Sequence, residues 1–562
     1  MPALIECVPN FSEGRDPEII RRIADALGSV DGAKLLHVDP GKATNRTVMT
    51  LAGSPEAVVE AAFRGIAVAA ELIDMRSHTG EHPRMGATDV CPLVPISEIT
   101  MAETAELSRR LAERVGRELG IPVYCYEAAQ PDAGRKNLAV IRAGEYEGLA
   151  AKMKDPAWKP DFGPATFDPK HGATVIGARD FLVAFNVNLN TTSTRRANAI
   201  AFDVREAGRP KREGNPLTGK VVNDASGDPV MIPGTLKAVK AIGWFIPEYG
   251  VAQVSMNLTD IRTTSVHAAF DEVCRAADAR GVRVTGSELV GLVPLEALLA
   301  AGRHYLRRQQ RSLGVSEAEL VRIAIKSLGL DEVAPFTPEE RIIEYRLRDT
   351  GLTRLVGMTV RAFTDETASE SAAPGGGSIA AAVGAFGAAL GAMVANLSAH
   401  KRGWDERWEE FSRWAEEGQR IKDELLHLVD EDTRAFDRVM AALALPKGSD
   451  AEKAARSAEL AAANLGALKV PYQVMQTAAA AFPVVKAMAE TGNPASASDA
   501  GVGALCLRTA VRGAWLNVQI NAGGIKDKGA ISPILTDGSR IVEEAARLEA
   551  EILAIVEKKF AP

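Results

Sequence analysis

The sequence predicts an α/β half made of two βαββαβ repeats, followed by an all-α helical bundle. Three observations carry that prediction. Strand and helix signals run twice in the same order before residue 300, strand patterns vanish beyond about residue 345, and alanine-dense helical periodicity then continues to the end. A chain of 562 residues exceeds the roughly 250–300 residues one core organises, so several domains are expected. The expected boundaries are 1–178 and 179–333 for two α/β subdomains, 334–354 for a linker and 355–562 for the helical domain.

In the first repeat, residues 4–10 read as a short strand. Asp16 caps a helix with Pro17 at its first position, and Ile19, Ile23, Ala26 and Leu27 form its apolar face. Residues 34–39 and 46–52 read as two strands. Ser54 caps the next helix, again followed by a proline, Pro55. A loop from Arg76 to Thr88 leads into a strand at 89–96. The order βαββαβ is the split βαβ pattern of ferredoxin-like units. A capping box at Thr100 and Glu103 opens a further helix, and Val123–Tyr126 is a further strand.

The order then recurs. Phe181–Leu189 is a strand, 193–206 a helix, and Leu236–Phe245 with Ala252–Leu258 a hairpin around Pro247-Glu248-Tyr249-Gly250. Val266–Ala279 is a helix, and Val282–Gly286 begins a strand. The polar, Gly- and Pro-containing stretch 208–234 reads as a long surface loop. Two similar subdomains suggest a cleft between them, a preferred place for ligands.

Composition narrows the function. The net charge is -7 without a basic block, which makes nucleic acid a poor partner. Five scattered cysteines form no CxxC or zinc spacing, so reduced, mostly buried thiols in a cytoplasmic protein are expected. The first residues lack a basic n-region and an apolar h-region. Ser378–Ala399 carries no charge over 22 residues, the length of a membrane span. It is mostly Ala and Gly, however, which favours a small-residue helix packed in a bundle and no membrane.

The densest polar cluster of the first half is His78-Thr79-Gly80-Glu81-His82-Pro83-Arg84-Met85-Gly86, between a helix and a strand, where active-site loops are common. Histidine suits proton transfer near neutral pH. Gly80 and Pro83 oppose a helix there, so the two histidines four apart do not have zinc geometry. A plain surface loop is the alternative. Asp39 and Asn45-Arg46 sit at a strand end and the start of its partner, lining the same cleft or forming an ordinary turn. The Gly- and Pro-bounded stretch from Asp161 to Gly172 reads either as a loop wrapping a flat ring or as a simple linker. Pro374-Gly375-Gly376-Gly377-Ser378 opens the small-residue helix, where free backbone N–H groups can hold an anion, although the Walker lysine is absent.

Asp432 is the most informative position. Its helix carries Leu425, Leu428, Val429, Ala435, Phe436, Val439 and Leu443 as an apolar stripe, and Asp432 falls on that stripe. Asp430 falls off it and is expected to be solvated. A carboxylate on a buried face is either a partnered structural group or a functional one with a raised pKa.

These segments together resemble the bifunctional formimidoyltransferase-cyclodeaminase family over nearly the whole chain. The resemblance is carried by Glu6-Cys7-Val8-Pro9-Asn10-Phe11-Ser12-Glu13-Gly14, Thr44-Asn45-Arg46-Thr47-Val48, Gly80 through Gly86 and Arg142-Ala143-Gly144-Glu145-Tyr146-Glu147. It continues through Gly286-Ser287-Glu288-Leu289-Val290-Gly291-Leu292-Val293-Pro294, Glu340-Arg341-Ile342-Ile343-Glu344-Tyr345, Ser371 through Ser378, and Leu428-Val429-Asp430 with Asp432.

The resemblance implies transfer of a formimino group from formiminoglutamate to polyglutamylated tetrahydrofolate, then cyclisation with loss of ammonia. It implies His82 as the transferase acid/base; separately, Asp39 is expected to orient that histidine. It places folate on Gly163, Pro164, Ala165, Thr166, Phe167, Asp168, Pro169, Lys170, His171 and Gly172. It makes Asp432 the deaminase catalytic aspartate, and implies a homo-oligomer with no metal or redox cofactor. The 208–234 insertion is longer than in vertebrate relatives, which bears on cleft shape or oligomer contacts. Two other readings remain: a single-activity formimino- or formyltransferase with a helical folate-binding or assembly module, and a non-catalytic scaffold.

Overall fold

The computed structural model describes residues 3–42, 44–80, 83–214, 219–347, 355–371 and 373–560. The chain divides into two compact units, one of residues 1–300 and 325–349, the other of 301–324 and 350–562.

The first unit opens with β1 (Leu4–Cys7), β2 (Asn10–Phe11), α1 (Pro17–Leu27), β3 (Ala33–Gly41), β4 (Arg46–Gly53), α2 (Pro55–Leu72) and β5 (Thr88–Ser97). Asp16 accepts from the N–H groups of Glu18 and Ile19, so the predicted cap starts α1. The antiparallel order β3–β4–β1–β5 is that of a ferredoxin-like unit. The helix α3 (Met101–Arg114), started by the predicted capping box, leads to β6 (Val123–Glu127). The short helices α4 (Leu138–Arg142) and α5 (Glu145–Lys152) follow, then β7 (Thr174–Ala178), which joins β5 in parallel and carries β6 on its other edge. One face of this sheet buries Ile5, Cys7, Met49, Leu51 and Cys91 under α1 and α2.

The second repeat comprises β8 (Val183–Leu189), α6 (Thr194–Val204), β9 (Arg209–Pro210), β10 (Met231–Ile232), β11 (Val239–Ile246), β12 (Val251–Leu258), α7 (Val266–Asp278) and β13 (Val284–Val290). Its main sheet, β11–β12–β8–β13, repeats the first order. The loop expected at 208–234 pairs its own ends through β9 and β10, and residues 215–218 lie outside the description.

The helices α8 (Leu295–Arg308) and α9 (Glu317–Leu328) come next, and residues 301–324 belong to the helical unit. The stretch expected to be a linker from 334 behaves differently. It forms α10 (Pro338–Arg341) and α11 (Ile343–Leu347) in the first unit. Ile342 bridges to Val293, and the buried Ile343 packs with Leu36 and Ala52. Two adjacent isoleucines make this stretch a piece of core, a signal that the flanking prolines obscure.

The helical unit contains α12 (Val360–Thr367), α13 (Gly376–Ala399), α14 (Trp408–Ala444), α15 (Asp450–Ala480), α16 (Phe482–Thr491), α17 (Ala497–Gly523) and α18 (Lys528–Phe560). The inner side of α13 is Gly and Ala, which lets α14 and α17 approach its backbone closely: Gly384 lies against Ala510 and Leu425, and Gly387 against Gly503.

Candidate active sites

In the first unit the structure stitches the two sequence-predicted loops together. Gly86 bridges Gly172, the N–H of Ala87 donates to the carbonyl of His171, and the N–H of Ala173 donates to that of Met85. The N–H of Met75 donates to the Lys170 carbonyl. Gly172 turns through φ +68°, and a Cβ there would run into the Met85 carbonyl, so only glycine allows this crossing.

Within the 163–172 loop, Gly163 through Thr166 are exposed, while Phe167 and Asp168 are half-buried. His171 uses both ring nitrogens, Nδ1 at 2.6 Å from Asp168 and Nε2 at 3.0 Å from the Ala70 carbonyl. Burial pushes Asp168 up, but His171 and the N–H of Lys170 outweigh it and hold its carboxyl below its ordinary value.

His82 and Glu81 lie outside the described residues. Asn45 accepts from the N–H of Gly14 and donates 2.9 Å to the Thr79 carbonyl, tying its turn to the loop. His78 Nε2 donates to the Asn45 carbonyl at 2.9 Å, and Arg84 Nε donates to Nδ1 at 3.3 Å, an arrangement that requires the Nε2–H tautomer. Burial pushes the His78 pKa down, so the ring is neutral. Arg84, buried itself, reaches Glu147 at 2.6 Å and Glu145 at 3.4 Å. Asp89 is fully buried and accepts from the Met85 N–H and from Arg142 at 2.7 Å. Asp39 stands exposed on the edge strand β3, opposite Val48, and its side chain makes no hydrogen bond or ion pair among the described residues.

Tyr146 was not singled out by the sequence. Its N–H donates to the Arg84 carbonyl, its hydroxyl donates to the Pro169 carbonyl, and its ring lies 5.6 Å from that of Phe167. It links both loops. The signal available is its place in the Arg142–Glu147 motif, as an aromatic residue between Glu145 and Glu147.

In the helical unit Asp432 lies under the first turn of α13. Ser378 Oγ donates to Asp432 Oδ2 at 2.9 Å. A Cβ on Gly377 would overlap Asp432 Oδ1, and one on Gly376 would come within 3.2 Å of the Asn517 amide. The glycine run is what brings α13 onto the carboxylate. Burial pushes Asp432 above its ordinary value, while hydrogen bonding from Ser378 pulls it partly back. Such a group can take up and release a proton nearer neutral pH than an exposed aspartate.

Two expectations on α14 need correcting. Asp430 is 9% exposed, not solvated, because α14 is covered by α13 on one side and α15 on another, a wider buried arc than one stripe. Phe436 and Leu443, placed on the stripe, are exposed: near the C-terminal end of α14 the buried positions are Ala435 and Ala442, one residue away on the narrower covered face.

None of the five cysteines is in a disulfide; Cys7, Cys91 and Cys125 are buried, and Cys274 and Cys506 half-buried. The described residues contain no cluster of three or more His, Cys, Asp or Glu able to hold a metal.

Comparison with known proteins follows the same division. Residues 4–179 match the family model of the formiminotransferase domain, N-terminal subdomain; residues 184–348 match that of the formiminotransferase domain; and residues 359–537 match that of formiminotransferase-cyclodeaminase. A formimidoyltransferase-cyclodeaminase from Sus scrofa is 42% identical over 562 residues, covering 100% of both chains. A glutamate formimidoyltransferase from Thermoplasma acidophilum is 43% identical and covers 54% of this chain and 93% of its own length. A methenyltetrahydrofolate cyclohydrolase from Methylorubrum extorquens is 36% identical over 36% of this chain and 97% of its own.

Proposed function

The chain belongs to the formimidoyltransferase-cyclodeaminase family, and we propose that it carries out two consecutive folate reactions, one in each unit. It transfers the formimino group of N-formimino-L-glutamate to N5 of tetrahydrofolate, then closes 5-formiminotetrahydrofolate to 5,10-methenyltetrahydrofolate with release of ammonia. The observation that carries this reading is similarity that runs unbroken through both units.

In the first reaction N5 attacks the amidine carbon of the donor. His82 takes the N5 proton and returns it to the departing glutamate nitrogen. Asp39 orients His82. The loop Gly163–Gly172 holds the folate, in its polyglutamylated form, and the backbone hydrogen bonds to Met85 and Ala87 support that role by joining it to the histidine loop. In the second reaction N10 attacks the formimino carbon. Asp432 accepts the N10 proton and hands it to the nitrogen that leaves as ammonia, a role its burial and raised pKa support. In both steps the protein's side chains move a proton while the carbon–nitrogen bonds form and break, and neither uses a metal or redox cofactor.

The protein acts in the cytoplasm, a reducing environment that suits five cysteines outside any disulfide. It assembles as a homo-oligomer. The exposed Phe386, Met393 and Leu397 on α13 and Val502, Leu505, Leu516 and Ile520 on α17 supply apolar surface for that. Sedimentation at micromolar concentration as a single-chain species would contradict assembly.

Mixing the purified chain with tetrahydrofolate and formiminoglutamate, and following methenyl absorbance and ammonia in parallel, tests the function. Both signals are expected. Neither signal, with turnover on formylglutamate instead, would make it a formyltransferase.

A further inference from the structure

Beyond the aspartate itself, we propose that Ser378 is a positioning residue for the deaminase step: its hydroxyl holds Asp432 under the first turn of α13 and keeps its carboxylate ionised until the folate amine presents a proton. The inference rests on the role given to Asp432 above.

Ser378 is fully buried, so its hydroxyl faces protein and not solvent. It donates to Asp432 Oδ2 at 2.9 Å across 54 residues of sequence. The N-cap of α13 is Gly375, which has no side chain to satisfy the first N–H groups. Asp432 lies beside that turn from a neighbouring helix, and Gly377, lacking a Cβ, leaves its carboxylate room there.

A permanent cap would be best served by a fully ionised carboxylate in a polar setting. Here burial opposes the charge, and hydrogen bonding from Ser378 is its counterweight. α13 has no ionisable side chain between Gly376 and Ala399. On α14, Glu431 pairs with Arg434 and Arg438. On α15, Arg456 donates to the Leu443 carbonyl. Burial and Ser378 are the influences on Asp432, with no charged neighbour among them.

Thr433 Oγ1 lies 3.5 Å from Ser378 Oγ. When Asp432 takes the N10 proton, the Ser378 hydroxyl keeps its own proton and can turn toward this second acceptor. When Asp432 passes its proton to the leaving nitrogen, the hydroxyl turns back. The cradle thus accommodates both protonation states.

The test is ammonia release by the full chain from preformed 5-formiminotetrahydrofolate, measured against pH for wild type, Ser378→Ala, Ser378→Thr and Asp432→Asn. Loss of a donor to the ionised form raises the pKa, so Ser378→Ala is expected to move the acid limb of the profile up by about one pH unit. Ser378→Thr, which keeps the hydroxyl, is expected to leave that limb near the wild-type position. An Ser378→Ala limb at the wild-type pH, with only the overall rate reduced, would overturn the positioning role. If the alanine variant is too slow to profile, the threonine variant decides: a wild-type limb supports the role, and inactivity with an unchanged thermal melt overturns it. Ammonia release persisting in Asp432→Asn would instead remove the assignment on which the inference rests.

Discussion

The two units place their candidate chemistry in opposite ways. In the α/β unit it lies on loops, between strands, held by backbone hydrogen bonds such as Ala87 to His171 and Ala173 to Met85. In the helical unit it is one side chain in mid-helix, reached by the stripped-down N-terminus of another helix. A loop site is assembled from distant segments and tolerates variation in its tip. A helix site depends on phase and on approach distance, so a single methyl group can close it.

The largest effects should separate the two units. His82→Ala is expected to slow formimino transfer by roughly 100-fold or more, the usual contribution of a general acid/base, while ammonia release from preformed 5-formiminotetrahydrofolate continues. Equal loss of both activities in a stopped-time assay would merge the sites and break the comparison.

Gly377→Ala comes next. The added Cβ overlaps Asp432 Oδ1, so the helices must separate or the carboxylate must leave its place. Ammonia release is expected to fall at least about 10-fold and stability by about 1–3 kcal/mol, as for other overpacked interiors. Wild-type values by denaturant unfolding and steady-state assay would show that the close approach is unimportant.

In the α/β unit the matching glycine is Gly172. With φ +68° and the Met85 carbonyl against its Cα, Gly172→Ala should unfasten the 163–172 loop. The expected result is a KM for tetrahydrofolate raised several-fold with the ammonia step unchanged. An unaltered KM would detach that loop from folate.

The smallest effect concerns a buried carboxylate outside either proposed mechanism. Burial pushes Glu6 up to about 7, against a lowering influence from Arg179 and a raising one from Glu344. A carboxyl with a folded pKa above its unfolded value of 4.5 takes up protons on folding. It therefore weakens the fold progressively as pH rises from about 4.5 to about 7, and by a constant amount above that. Glu6→Gln should then raise stability at pH 8 by on the order of 2–3 kcal/mol and leave it nearly unchanged at pH 4. Equal unfolding midpoints at pH 8 would mean that Glu6 stays charged.

Much of this was legible in the residues. Asp16 with Pro17, the Thr100–Glu103 box and the recurrence of strand and helix signals specify local structure directly, and the βαββαβ order follows from them. Asp432 was legible because a helix of 3.6-residue period places it among Leu425, Leu428 and Val429. Its partner was not, since Ser378 lies 54 residues away and only the packing of α13 on α14 brings the two together. The burial of Asp430 depends likewise on how many neighbours α14 has, and one stripe does not reveal a second covering helix. Tyr146 joins the 78–86 and 163–172 loops through contacts that no local pattern encodes.

The central claim is that each unit carries one step, and the Asp432→Asn chain tests it most directly. Incubated with tetrahydrofolate and formiminoglutamate, it should consume the donor at the wild-type rate and accumulate 5-formiminotetrahydrofolate without ammonia. Ammonia and methenyltetrahydrofolate appearing at the wild-type rate would contradict the account.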